Sequence, residues 1–289
     1  MIHLRSDALA ATIDPHGAEL HSLTDAAGCE LMTDADPRFW SGRAPLLFPI
    51  VGRLAGDTLR VDGRAYTMKQ HGFARRRDFA VTAAAEDRAV FTLSDDAETR
   101  AAFPFAFRLD VAFALAGATL SIDVAVHNPD AARDLPASFG FHPAFAWPLP
   151  YGEAREDHRI VFAADEPGAL HPLAADGTLL SGERPSPLDG RTLPLADALF
   201  EEDALIWSPV ASQAVRYGAG RGPQLEVAFA DTPSLGIWTK PGARFVCIEP
   251  WHGHADPHGY DGEFRDKPGV FIVPPGGTKR IAMRVTLLA

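Results

Sequence analysis

A glutamate and a histidine, each next to a proline at the end of an apolar run, are the residues of this chain best placed to move protons. In Phe245-Val-Cys-Ile-Glu-Pro-Trp-His-Gly253, an extended backbone puts Phe245, Cys247 and Glu249 on one face and Val246 and Ile248 on the other. Glu249 then stands at the end of a largely apolar strand, where partial desolvation raises its pKa. Pro250, which has no N–H for a ladder, is expected to end that strand. In Phe139-Gly-Phe-His-Pro-Ala-Phe145 the first two phenylalanines point one way, so His142 projects to the opposite face. A carboxylate and an imidazole with pKa values near neutrality suit general acid–base work in both directions. Taken singly, each also has the plainer reading of a surface or hydrogen-bonded structural residue.

Further polar groups sit beside aromatic or turn residues. Phe48-Pro-Ile-Val-Gly-Arg53 ends in an arginine that alone reads as a salt-bridged surface group, and the His71-Gly pair alone reads as a turn. Arg75-Arg-Arg77 has the look of a phosphate or nucleic-acid patch, but in an acidic chain it reads more simply as a solvated face. His252-Gly-His254-Ala-Asp256-Pro-His258 offers ligand types that Zn²⁺ or Mn²⁺ accepts. Its glycines and proline mark it as a loop at the rim of a pocket, and no metal is assigned to it. Cys29 and Cys247 are too few for a disulfide scaffold. Cys247, although on the Glu249 face, reads as a small buried hydrophobe.

The elements that must position these groups are strands. Phe107–Leu115 and Leu120–Val126 alternate apolar and polar residues about a short Gly117 connection, which predicts a hairpin. Ile281, Met283, Val285 and Leu287 share one face of a C-terminal strand. Further strands are expected at Leu9–Ile13, Glu19–Thr24, Arg88–Ser94, Arg159–Phe162, Gln224–Ala230 and Arg244–Glu249. Only Ala97–Phe103 and Leu195–Phe200 suggest a turn or two of helix. The Pro-, Gly- and Asp-rich stretch 165–197 reads as a long excursion from one sheet system, because strand patterning continues on both sides. The expectation is one all-β domain over residues 1–289, with the 25 glycines and 24 prolines acting as punctuation between strands.

Composition removes several classes of function. With 27 Lys and Arg against 38 Asp and Glu, the net charge is −11, which disfavours nucleic acid and anionic membrane surfaces as partners. The skew to four lysines and one asparagine, Asn128, reads as base-composition bias rather than chemistry. Neither a signal peptide nor a membrane span is legible, so a cytoplasmic location is the expectation.

Taken in order, the strings resemble the aldose 1-epimerase (galactose mutarotase) family, in particular its divergent bacterial branch. The resemblance begins at Gly17-Ala-Glu-Leu20 and runs through Pro45-Leu-Leu-Phe-Pro-Ile-Val-Gly-Arg53, His71-Gly-Phe73, Phe141-His-Pro143 and Asp203-Ala-Leu205. It continues through Trp238-Thr-Lys240 and Ile248-Glu-Pro-Trp251 to Lys267-Pro-Gly269, spanning nearly the whole chain. It implies a galactose mutarotase-like β-supersandwich and an enzyme that interconverts the α and β anomers of an aldose without a cofactor.

By the same resemblance Glu249 is the base and His142 the acid at the ring oxygen. His71, Arg53 and Asp203 hold sugar oxygens, and the implied partner is a small sugar. Indole rings stack on apolar sugar faces, which singles out Trp251 and Trp40 among the five tryptophans. Two alternatives remain: a hexose-6-phosphate mutarotase, whose phosphate would need cations from Arg75, Arg76, Arg77 or Lys267, and a non-catalytic carbohydrate-binding protein. A glycoside hydrolase is disfavoured, because it would need two carboxylates about one bond and only Glu249 stands out. Either a monomer or a homodimer is compatible with the sequence.

Overall fold

The computed structural model describes residues 1–289, and most of its regular elements are antiparallel strands. The predicted hairpin forms from Arg108–Ala116 and Thr119–His127. It lies inside a nine-stranded sheet, where the C-terminal strand Thr278–Leu288 pairs with Thr119–His127 on the side away from the hairpin partner. Leu109, Val111, Phe113 and Leu115 are buried, as their alternation requires, and so are Ile281, Met283 and Val285. Helix is confined to Ala97–Ala102, capped by Asp96 and Thr99, and to single 3-10 turns such as Asp197–Phe200.

A second sheet of six strands carries the groups of interest. At its centre runs Phe245–His252, flanked by Ser234–Trp238 on one side and by Phe139–Phe141 and Ala144–Ala146 on the other. Parity divides the central strand as the sequence predicts. Val246 and Ile248 join a core of 63 buried residues that also holds Phe91, Phe113 and Met283 of the large sheet and Leu4, Ile13 and Leu23 of an N-terminal three-stranded sheet. Phe245, Cys247 and Trp251 face away from that core into two smaller apolar clusters.

One expectation fails instructively. Pro250 does not end the strand, because it lies within Phe245–His252 opposite Leu235. Hydrogen-bonding directions alternate along a strand, and Ile248 N–H donates to Pro143 O at 3.2 Å. By the register of Phe139–His252 and Gly140–Trp251, the missing N–H of Pro250 faces Phe141, the last residue of that strand before it breaks ahead of Ala144–Ala146, so the ladder is interrupted where it already ends. That break contains His142.

The strand Ser234–Trp238, absent from the sequence reading, is buried at its first four positions and so shows no alternation to read. The excursion 165–197 leaves and rejoins the nine-stranded sheet at adjacent strands: His158–Phe162 pairs with Thr192–Pro194. Between them, Leu173 and Leu179 bridge across a tight turn closed by Gly177.

Candidate active site

Glu249 emerges from the middle of the central strand, and His142 from the break in the strand beside it. His142 Nε2 lies 3.2 Å from Glu249 Oε2, with the two side chains only 10% and 2% exposed. Both face a cavity of about 290 Å³, near the lower end of the ~300–1,000 Å³ usual for small-molecule sites. Burial pushes the Glu249 carboxyl well above its usual range, with the nearby Asp203 charge adding to it. The Trp251 indole N–H, which has no full hydrogen-bond partner, acts the other way. Burial likewise pulls His142 down to about 3, helped by the charge of Arg75. Both groups are thus driven towards their uncharged forms, which leaves the pair holding one proton across a 3.2 Å contact.

Aromatic rings define the space around the pair. Trp40 stacks on the His142 ring at 4.9 Å and 28°, and meets Trp238 edge-on at 5.7 Å. The Trp251 ring is pressed between two glycines. A Cβ at Gly140 would lie 2.6 Å from the indole, and one at Gly236 would lie 2.5 Å from it. These two glycines are required by the site, and the signal for them was present in Phe-Gly-Phe141 and Leu-Gly-Ile237, where glycine interrupts apolar strands.

His71 reaches the cavity from the turn that follows Lys69. It adopts φ +65° and Gly72 φ +70°, a left-handed pair that brings the turn against the carbonyl of Phe48. Gly52 N–H donates to His71 Nδ1 at 3.1 Å, and His71 N–H donates to Gly52 O at 2.9 Å. Since Nδ1 accepts, the proton resides on Nε2, which sits 3.3 Å from the Gln70 amide and requires that amide to present its oxygen. The His71 ring meets the His142 ring edge-on at 5.8 Å. Burial, with the positive charges of neighbouring groups, holds His71 well below the usual histidine pKa.

Asp203 lines the cavity too, from a turn with φ +79° after Phe200. Arg53 does not reach the inner cavity. It lies at the outer mouth, 43% exposed, with Nε donating to Asp57 Oδ1 at 3.1 Å. The arginine in the inner wall is Arg75, whose Nε is buried without a partner and whose Nη2 donates to Gln70 O at 3.1 Å. Only Arg76 of that triplet is a well-exposed side chain, so the solvated-face reading fails for Arg75. The backbone winds through a 3-10 turn at Ala74–Arg76 that points its first arginine inward, which residue type alone does not reveal. The excursion 165–197 also contributes a wall through Leu173 and Gly177.

The His252–His258 loop does not gather its side chains about a common point. His254 bonds to Ala255 O, Asp256 accepts from Ala55 N–H, and His258 meets Thr178. The three metal-ligand types that do converge, within 4.8 Å, are His142, Glu249 and Cys247. Burial, and then the charge of Glu249, pushes the Cys247 thiol well up.

The buried and half-buried histidines have a consequence for stability. His71, His142, His158, His252 and His254 are all held below their ordinary value of 6.5, chiefly by burial. Below that pH the unfolded chain binds protons that the fold refuses, so stability falls as pH falls. Glu249 and Asp256, with raised pKa values, act in the opposite sense but are outnumbered. Tm by scanning calorimetry is therefore expected to drop by roughly 5–10 °C between pH 7 and pH 5; a level or rising Tm would contradict neutral histidines in the fold.

The chain is similar to known proteins over nearly its whole length. A family model described as aldose 1-epimerase matches residues 1–265. The chain is 30% identical over 296 residues to the chromosomal protein LacX of Lactococcus lactis subsp. lactis, covering 99% of both. Among solved structures it is similar to a galactose mutarotase related enzyme from Lactobacillus acidophilus, with TM-score 0.92, 32% identity, and 99% and 97% of the two chains covered. A galactose mutarotase-like protein from Lactobacillus casei gives TM-score 0.91 at 29% identity over the whole of both chains. No helix of the fold is long and apolar enough to cross a membrane.

Proposed function

Because the chain belongs to the aldose 1-epimerase family, with the fold of galactose mutarotase-like proteins, we propose that it interconverts the α and β anomers of an aldose with Glu249 and His142 as its acid–base pair. The observation that carries this reading is the 3.2 Å contact between the two side chains at the floor of a sugar-sized cavity walled by indoles.

Proton balance follows from the pair. Transfer across the contact gives a carboxylate and an imidazolium, still with one proton and no net charge. The carboxylate of Glu249 takes the proton of the sugar C1 hydroxyl while His142 gives its proton to the ring oxygen. The C1–O5 bond breaks, and the open-chain aldehyde forms. The pair is left as carboxylic acid and neutral imidazole, the forms that burial favours. After rotation about C1–C2 the same transfers run backwards on the other face of C1, and the ring closes as the opposite anomer. His71, with its proton on Nε2, donates to a sugar oxygen; Asp203 accepts from a hydroxyl; Trp251 and Trp40 offer flat faces. Arg53 at the mouth is placed to meet a substituent reaching outward from the ring.

A phosphorylated hexose is the second reading, favoured by the buried, unpartnered Nε of Arg75 in the inner wall. Polarimetry separates the two with freshly dissolved α-D-glucose and galactose and with their 6-phosphates. If the phosphate is recognised, Arg75→Met should raise KM for the 6-phosphate about 10²-fold and leave the free sugar nearly unchanged. Equal loss on both would make Arg75 a ring-binding group. Sugar binding by calorimetry without faster mutarotation would favour a non-catalytic binding protein.

A further inference from the structure

Lys267 carries a charge with 0% side-chain exposure, next to an Asp256 side chain that is 3% exposed. Burial pulls Lys267 down to about 8 and pushes Asp256 up, and well-packed apolar residues often replace such a pair without loss of stability. The pair does something apolar residues cannot, because it clamps a second loop. Lys267 Nζ donates to His254 O and stands 3.7 Å from Asp256 Oδ1. Asp256 Oδ2 accepts from Ala55 N–H at 2.8 Å, and Asp256 N–H donates to Arg53 O at 2.9 Å, so residues 53–55 are held from both sides. There is no slack next to the clamp: a Cβ on Gly52 would lie 2.6 Å from Ala255 Cα. Gly52 in turn exchanges two hydrogen bonds with His71, one of them to Nδ1.

We propose that Lys267 and Asp256 are positioning residues that act through residues 52–55 to fix both the place and the tautomer of the His71 imidazole at the cavity wall. The kinetic side of this proposal rests on the mutarotase reading; the tautomer side does not.

The test uses ¹⁵N-histidine-labelled full-length protein, with the His71 signal assigned from a His71→Asn control. Asp256→Ala removes the side-chain arm of the clamp, to Ala55 N–H and Lys267, and keeps only the backbone bond to Arg53 O, whereas Asp256→Asn also keeps an oxygen for Ala55 N–H. In Asp256→Ala the His71 nitrogens are expected to move from one Nε2–H tautomer to a mixture, and kcat to fall about 10²-fold with KM changed only a few-fold. Asp256→Asn is expected to restore the single tautomer and at least tenfold of the lost rate. If Asp256→Ala does not fold, Lys267→Met removes the ammonium that holds His254 O and Asp256 but keeps the Asp256 bond to Ala55 N–H, and should show the same His71 signature at smaller amplitude. Unchanged His71 nitrogens in a folded variant would overturn the proposal whatever the activity. Altered nitrogens with no mutarotation, even in the unsubstituted protein, would leave it standing and sink the mutarotase reading instead.

Discussion

Glu249→Gln is expected to lower kcat for mutarotation by about 10³-fold while KM changes only a few-fold. The side chain lies at 2% exposure in the middle of a central strand, and glutamine keeps its volume against Trp251 and an acceptor or donor for His142. It cannot take a proton from the C1 hydroxyl. Stability should hold or rise, because burial already drives this carboxyl towards its neutral form and the amide removes the option of a buried charge. Thermal unfolding alongside initial rates separates the outcomes: a folded variant with near-normal kcat would remove Glu249 from the chemistry.

His142→Asn is expected to lower kcat by about 10²–10³-fold. Asparagine can still donate to Glu249, but it has no proton to exchange at neutral pH and leaves the face of Trp40 uncovered, where the rings stack at 4.9 Å. A KM increase from that lost packing is expected to be smaller than the loss in kcat. Since the two residues share one proton, their substitutions should not add. The double variant Glu249→Gln/His142→Asn is predicted to be no slower than the worse single variant within about threefold. Strict multiplication of the two losses would mean that they act independently, against the shared-proton account.

How much of this could be read in the sequence depended on whether a residue's surroundings leave a periodic trace. The hairpin about Gly117 and the C-terminal strand have one buried and one open face, so alternation revealed them. Ser234–Trp238 is buried on both faces and lacks that trace, although it supports Trp251 through Gly236. The parity of Phe245, Cys247 and Glu249 was legible, whereas the passage of the strand through Pro250 was not. It depends on a gap in the neighbouring strand more than 100 residues earlier, at His142 and Pro143. The places of Arg75 and Arg53 were not legible for a related reason. Arg53 is drawn to Asp57 at the mouth, and a 3-10 turn aims Arg75 inward, neither of which is a property of the arginine itself. Asp256 and Lys267 lie 11 positions apart, and their joint burial becomes visible only once the loops are folded together.

Glu249 and His142 are proposed to pass protons together between the C1 hydroxyl and the ring oxygen of an aldose. Two-dimensional exchange NMR on an equilibrated aldose, free or 6-phosphorylated, reads this directly, because cross-peaks between the α and β anomeric protons report interconversion without any net change in composition. Catalytic amounts of the protein are predicted to produce strong exchange cross-peaks with the sugar that fits, and the Glu249→Gln/His142→Asn variant to leave them at the buffer level. Exchange no faster than buffer with every aldose and aldose 6-phosphate tried, or undiminished exchange in the double variant, would contradict the account.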